Sequence, residues 1–114
     1  MLEYNNKTFP CGTSLTMSYI GGKWKAVILM YLISKKRRYS ELRQGMKTIS
    51  ERTLSLHLKE MEADGLVKRT VYTSKPPLKV EYELTEFGRS LEPILTALSN
   101  WGRALAETEN SEST

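Results

Sequence analysis

The side chains best equipped for covalent or metal chemistry are few. Cys11 is the chain's one thiol and His57 its one imidazole. A single Cys closes no internal disulfide, and Cys plus His falls short of the four ligands of a structural zinc site. A Cys–His nucleophile pair also needs an orienting third group and oxyanion donors. No such motif accompanies Cys11 and His57, and the sequence has no Gly-rich phosphate loop and no clustered carboxylates. The reading is of a chain that is not an enzyme and needs no metal or cofactor. His57 reads as a packing or phosphate-contact residue near the core face of its helix.

The stronger signal is cationic. Between Ile20 and Lys79 there are fourteen Lys or Arg against five acids, a net of +9, while the rest of the chain nets −5 within a total of +4. Such a segment is suited to an anionic partner, and nucleic acid is the commonest. Within it, one helical stretch places Arg52, Leu56 and Lys59 on a single face, flanked by Thr53 and Ser55. Arg can make a bidentate contact to guanine, and an apolar side chain such as Leu56 can pack on a thymine methyl. Ser50 precedes that helix as a cap, where exposed backbone N–H groups can also hold a phosphate. Arg38, Lys68, Lys75 and Lys79 read as phosphate or minor-groove contacts.

These residues must be positioned by a small set of elements. A length of 114 residues with 39% hydrophobic and 26% charged residues fits one soluble globular domain. Residues 1–12 read as an irregular arm, 13–106 as the folded domain and 107–114 as a disordered polar tail. Thr13 or Ser14 can cap a short helix to about Ile20, stopped by Gly21-Gly22. The apolar run from Lys23 to about Ser34 is read as the central core helix. Lys35 to Arg38 forms a basic turn. A short helix follows, with Ser40 as cap and Gly45 as its end. The next helix runs from Ser50 to about Asp64, with Leu54, Leu58 and Met61 facing the core. Two alternating runs, Leu66–Thr73 and Val80–Leu84, read as strands joined by a basic tip, Ser74 to Lys79, whose two prolines bar a ladder. A last helix, capped by Thr85, continues to about Ala106 and should bend or break at Pro93.

Two short helices with a tight connection, then a basic hairpin, make the winged helix-turn-helix order. The fold class is α+β, mainly helical, with a two-stranded wing and terminal dimerisation helices. In this arrangement the second helix of the pair enters the major groove of double-stranded DNA.

The residues also carry a family resemblance. Ile20-Gly-Gly-Lys-Trp24, Arg38-Tyr-Ser-Glu-Leu42, Ile49-Ser50, Asp64-Gly-Leu-Val67, Val80-Glu-Tyr-Glu-Leu-Thr85 and Trp101, in this order, resemble the HxlR family of winged-helix transcription regulators, related in shape to the MarR group. The resemblance spans about residues 11 to 105. It implies a homodimer, joined through its terminal helices, that binds a palindromic operator, most simply as a repressor. The sequence departs from the family's usual Cys-Pro at Cys11-Gly12, from its Gly before Ile-Ser at Thr48, and from its usual turn at Lys35-Lys36-Arg37.

Leu15, Leu91, Ile94, Leu98, Trp101 and Leu105 are the candidate dimer contacts, because the last helix carries more apolar positions than one small domain needs. The resemblance makes Cys11 a candidate sensor of oxidants or small electrophiles; an inert thiol is the alternative. With no second Cys, oxidation must give an intersubunit Cys11–Cys11 bridge, a mixed disulfide or an adduct. A regulator answering a non-covalent ligand and a winged-helix protein–protein module are the rival functions. A free thiol, no export signal and no membrane-spanning run point to the cytoplasm.

Overall fold

The structure, a computed structural model, describes residues 1–73 and 75–112. It opens with a hairpin of β1 (Leu2–Tyr4) and β2 (Lys7–Phe9). Four helices and a short strand follow: α1 (Gly12–Ile20), α2 (Lys25–Ser34), β3 (Arg37–Arg38), α3 (Tyr39–Gly45) and α4 (Glu51–Ala63). Strands β4 (Val67–Val71) and β5 (Val80–Leu84) form the wing, and α5 (Glu86–Arg89) and α6 (Glu92–Glu112) close the chain.

Helix α2 is the centre of the core, as its nearly all-apolar sequence requires. Its Ile28, Leu29 and Leu32 are fully buried among Leu42 of α3, Leu54, Leu58 and Met61 of α4, Leu66, Val67 and Leu84 at the base of the wing, and Leu95 of α6. Helix α4 ends where Gly65 takes φ +80°, a conformation that costs a residue with a Cβ but not glycine. The sheet order is β3-β5-β4, antiparallel throughout, with Lys68 opposite Glu83, Arg69 opposite Tyr82, and Arg38 opposite Glu81.

The structure differs from the sequence expectation at several points. Residues 1–12 are not an irregular arm. Asn5 and Asn6 take φ of 49° and 62°, the pair of positive values that a two-residue hairpin turn needs, and Asn tolerates them. The cap of α1 is at Cys11, not Thr13 or Ser14. The cap of α3 is at Arg38, not Ser40; the Glu41 carboxylate accepts the Arg38 backbone N–H at 2.9 Å. The basic turn contains β3, which adds a third strand to the expected two. The last helix is two helices. Thr85 caps α5 by accepting from Gly88 N at 2.9 Å, the chain turns at Ser90 and Leu91, and Pro93 falls in the first turn of α6, where a missing donor leaves no bond broken. Finally, α6 continues to Glu112 rather than ending near Ala106, since a helix already nucleated extends at little cost through Glu-rich sequence. Of the expected loop tip and tail, Ser74, Ser113 and Thr114 lie outside the described residues.

Candidate nucleic-acid interface

The α3–α4 pair is fixed by polar ties at its turn. Ser50 Oγ accepts the Thr53 N–H at 3.1 Å, so the expected cap of α4 is present. The Tyr39 hydroxyl donates to the Glu51 carbonyl at 3.2 Å and accepts from Ser55 Oγ at 3.3 Å. The Arg43 guanidinium donates to the Ile49 carbonyl and lies 3.9 Å from the Glu51 carboxylate. From the other side, Glu60 of α4 takes Lys25 Nζ of α2 at 3.3 Å and His57 Nδ1 at 3.3 Å. The Lys25 side chain is only 12% exposed and that of Glu60 43%, so this link between the core helix and α4 is shielded on the Lys25 side alone. Bonds from His57 first, then Lys25, hold the Glu60 carboxyl below its ordinary value of 4.5.

Held this way, α4 presents Arg52, Ser55, Leu56 and Lys59 to solvent, with Leu56 53% exposed. An apolar side chain left open between cations has no role in the subunit's own core. Thr53 is half-buried, and its hydroxyl accepts from Ser50 Oγ at 2.8 Å, so it serves the cap first.

The wing sorts its cations by strand parity. Alternate residues point to opposite faces, and directly opposed residues share one. Val67 and Leu84 are buried on the core face, so Arg69 and Tyr82 share that face. Lys68 and Arg38 fall on the other, opposite Glu83 and Glu81. On this outer face Lys36 Nζ lies 3.3 Å from Glu81 and 3.3 Å from the Tyr72 hydroxyl. Lys79 lies 3.8 Å from Glu81 and 5.0 Å above the Tyr72 ring. The Tyr72 bond, then Glu81, pushes the Lys36 ammonium above its ordinary range. Lys75 is exposed in the loop between β4 and β5. The structure thus gathers the α4 residues on one face but sets Arg38 and Lys68 apart from them.

Sequence alternation alone does not single out Arg69. It lines a groove of about 390 Å³ between α4 and the sheet, with Ser55, Leu58, Lys59, Glu62 and Tyr82. The alternation of 66–73 carried the signal, but choosing between Lys68 and Arg69 needs the register. Tyr39 and Arg43, which tie the turn, were missed too.

Cys11 is exposed at the start of α1. One turn on, half-buried Leu15 lines an apolar cleft of about 230 Å³ with Tyr4, Tyr19, Phe87 and Leu91. The Tyr19 ring meets Tyr4 and Phe87 edge-on, at centroid distances of 6.4 and 5.6 Å. Along α6, Ile94, Leu98, Trp101 and Leu105 stand open to solvent, Trp101 by 71%. Leu91, expected with them, instead packs partly buried against the core. Among the described residues no three His, Cys, Asp or Glu side chains gather, and no helix is long and apolar enough to cross a membrane.

The model of the HxlR-like helix-turn-helix family matches residues 19–110. The HTH-type transcriptional regulator YybR of Bacillus subtilis is 48% identical over 101 residues, covering 89% of this chain and 79% of its own. The redox regulator HypR is similar in both its solved forms. The reduced form has a TM-score of 0.80 at 44% identity, covering 89% of this chain and 99% of HypR; the oxidised form has 0.78 at 47%, covering 82% and 96%. The reduced transcriptional regulator YodB of B. subtilis has a TM-score of 0.67 at 30% identity, covering 82% of this chain and 91% of its own.

Proposed function

The chain belongs to the HxlR-like helix-turn-helix family of transcriptional regulators, and on that premise we propose that it binds a palindromic operator as a homodimer, with α4 as the recognition helix. The observation that carries this reading is the exposed Arg52–Ser55–Leu56–Lys59 face on a helix anchored at both ends. Arg52 reads a base edge, Leu56 meets a thymine methyl, and Ser50 and Thr53 at the helix start approach the phosphate backbone. Lys75 and, less freely, Lys79 reach the backbone from the wing. Arg38 and Lys68, on the outer sheet face, stay outside this interface. The exposed stripe of α6 joins two subunits, placing two recognition helices about one helical turn of DNA apart. On the same reading the regulator acts as a repressor.

We further propose that Cys11 senses oxidants, since HypR is a redox regulator and Cys11 is exposed beside the apolar cleft. Two Cys11 thiols of a dimer would lose two protons and two electrons to an oxidant such as diamide and form one disulfide. The aromatic-lined cleft favours a second reading, a non-covalent apolar effector. A mobility shift on DNA upstream of the chain's own operon tests both, with and without diamide and a quinone, for wild type and Cys11→Ser. Release of DNA by wild type alone supports sensing. Equal behaviour of the two proteins removes Cys11 from the mechanism.

A further inference from the structure

We propose that Arg69 and Lys59 form a seat for one DNA backbone phosphate in the groove between α4 and the sheet. This rests on the DNA-binding reading above and adds β4 as a second line of contact to the strand met by α4.

Several cations near this face are already engaged. Lys25 is held by Glu60, Arg43 by Glu51, and Lys36 and Lys79 by Glu81. Arg69 and Lys59 carry no ion pair among the described residues, although both border one groove. Strand register explains the position: Arg69 shares the sheet face of buried Val67 and so is turned toward α4, while Lys68 is turned away. One carboxylate, Glu62, also lines the groove, so the two cations leave a net charge of +1 there. That charge matches a single phosphodiester. The planar guanidinium of Arg69 suits two phosphate oxygens at once, and Lys59 supplies a compact charge from the helix side. A helix lying in the major groove has phosphates along both flanks. The flank of α4 facing the sheet is the one carrying Ser55 and Lys59.

The test is the salt dependence of binding to duplex DNA, measured by fluorescence anisotropy on the full-length protein. Each neutralised phosphate contributes about 0.9 to the slope of log affinity against log salt. Arg69→Ala should lower the slope by about 0.9 per subunit, or about 1.8 for a dimer, with base preference unchanged. Arg69→Lys should keep the slope, and Lys7→Ala, a loss of one charge on the β1–β2 hairpin outside the groove lining, should leave it unaltered. An unchanged slope in Arg69→Ala, or an equal fall in Lys7→Ala, overturns the seat while DNA binding itself stands. Wild type without salt-dependent binding overturns both. A thermal-shift titration with inorganic phosphate at fixed ionic strength separates the source. Stabilisation of wild type that Arg69→Ala abolishes, together with an unchanged DNA salt slope in Arg69→Ala, would assign the groove to a soluble phosphate and overturn the backbone seat; the same stabilisation with the predicted fall in slope supports it.

Discussion

Replacing Trp101 by Ala should dissociate the proposed dimer without unfolding the subunit. A tryptophan covers on the order of 200 Å² when fully buried. Trp101 is 71% exposed in the single subunit, so most of that area is available to a partner. Docking would cover roughly 100 Å² more per subunit than alanine allows, or about 2.5 kcal/mol at about 25 cal/mol per Å². A twofold axis counts each change twice, so the dimer loses about 5 kcal/mol and its Kd rises by roughly three to four orders of magnitude. Sedimentation equilibrium from nanomolar to high micromolar protein measures this directly. Leu95 provides the contrast. It lies on the same helix but is fully buried in the subunit core, so Leu95→Ala should cost about 2–5 kcal/mol of folding stability instead. A Kd change below tenfold in Trp101→Ala, or a wild-type monomer at micromolar concentration, would refute the assignment of α6 as the interface.

Three other outcomes follow from the same structure. A Cβ at Gly88 would sit 2.1 Å from the Leu66 carbonyl oxygen, which accepts Thr85 N at 3.0 Å, so Gly88→Ala must displace backbone. The expected cost is about 2–4 kcal/mol, seen as a fall of roughly 10–15 °C in Tm by calorimetry; a shift under about 3 °C would contradict the packing. Glu60 has its folded pKa depressed by His57 and Lys25, so its contribution is present above 4.5 and is lost as pH falls through the folded value. The stability gap between wild type and Glu60→Gln should therefore shrink on acidification in urea titrations from pH 6 to 3, and a constant gap would count against the link. Arg52→Ala should cost about 1–3 kcal/mol of DNA affinity and relax preference at one base, whereas Lys75→Ala weakens all sequences alike; a mobility-shift series over mutated operators compares them.

Much of this architecture is legible in the residues because local and long-range signals agree there. Leu54, Leu58 and Met61 give helical spacing, Ser50 and Gly65 bound the same segment, and the structure keeps all of it. The helix beginning at Lys25 is readable for a different reason: its apolar residues run nearly all round it, so it takes a central position, with Ile28, Leu29 and Leu32 fully buried and Val27 left exposed. The misses share a physical cause. Strands of three residues, such as Leu2–Tyr4 and Lys7–Phe9, are too short for alternation to stand out, although Asn5-Asn6 is a good hairpin turn. The two-residue β3 exists only because β5 offers an edge beside it. The site is harder to read than the fold. Parity between Lys68 and Arg69 depends on which neighbour is buried, and the ties of Tyr39 and Arg43 cross turns that composition does not reveal. Leu91 and Ile94 fit one helical stripe in the sequence, yet the chain turn at Ser90 and Leu91 packs Leu91 partly against the core.

Whether the exposed face of α4 reads operator sequence is decided by selection from a random duplex DNA pool, performed in parallel with wild type and Arg52→Ala. Wild type should enrich a palindrome whose half-sites are centred about ten base pairs apart, and Arg52→Ala should lose discrimination at one position in each half. No enriched sequence for wild type, or the same palindrome with undiminished discrimination for Arg52→Ala, would show that this face of α4 does not read the operator.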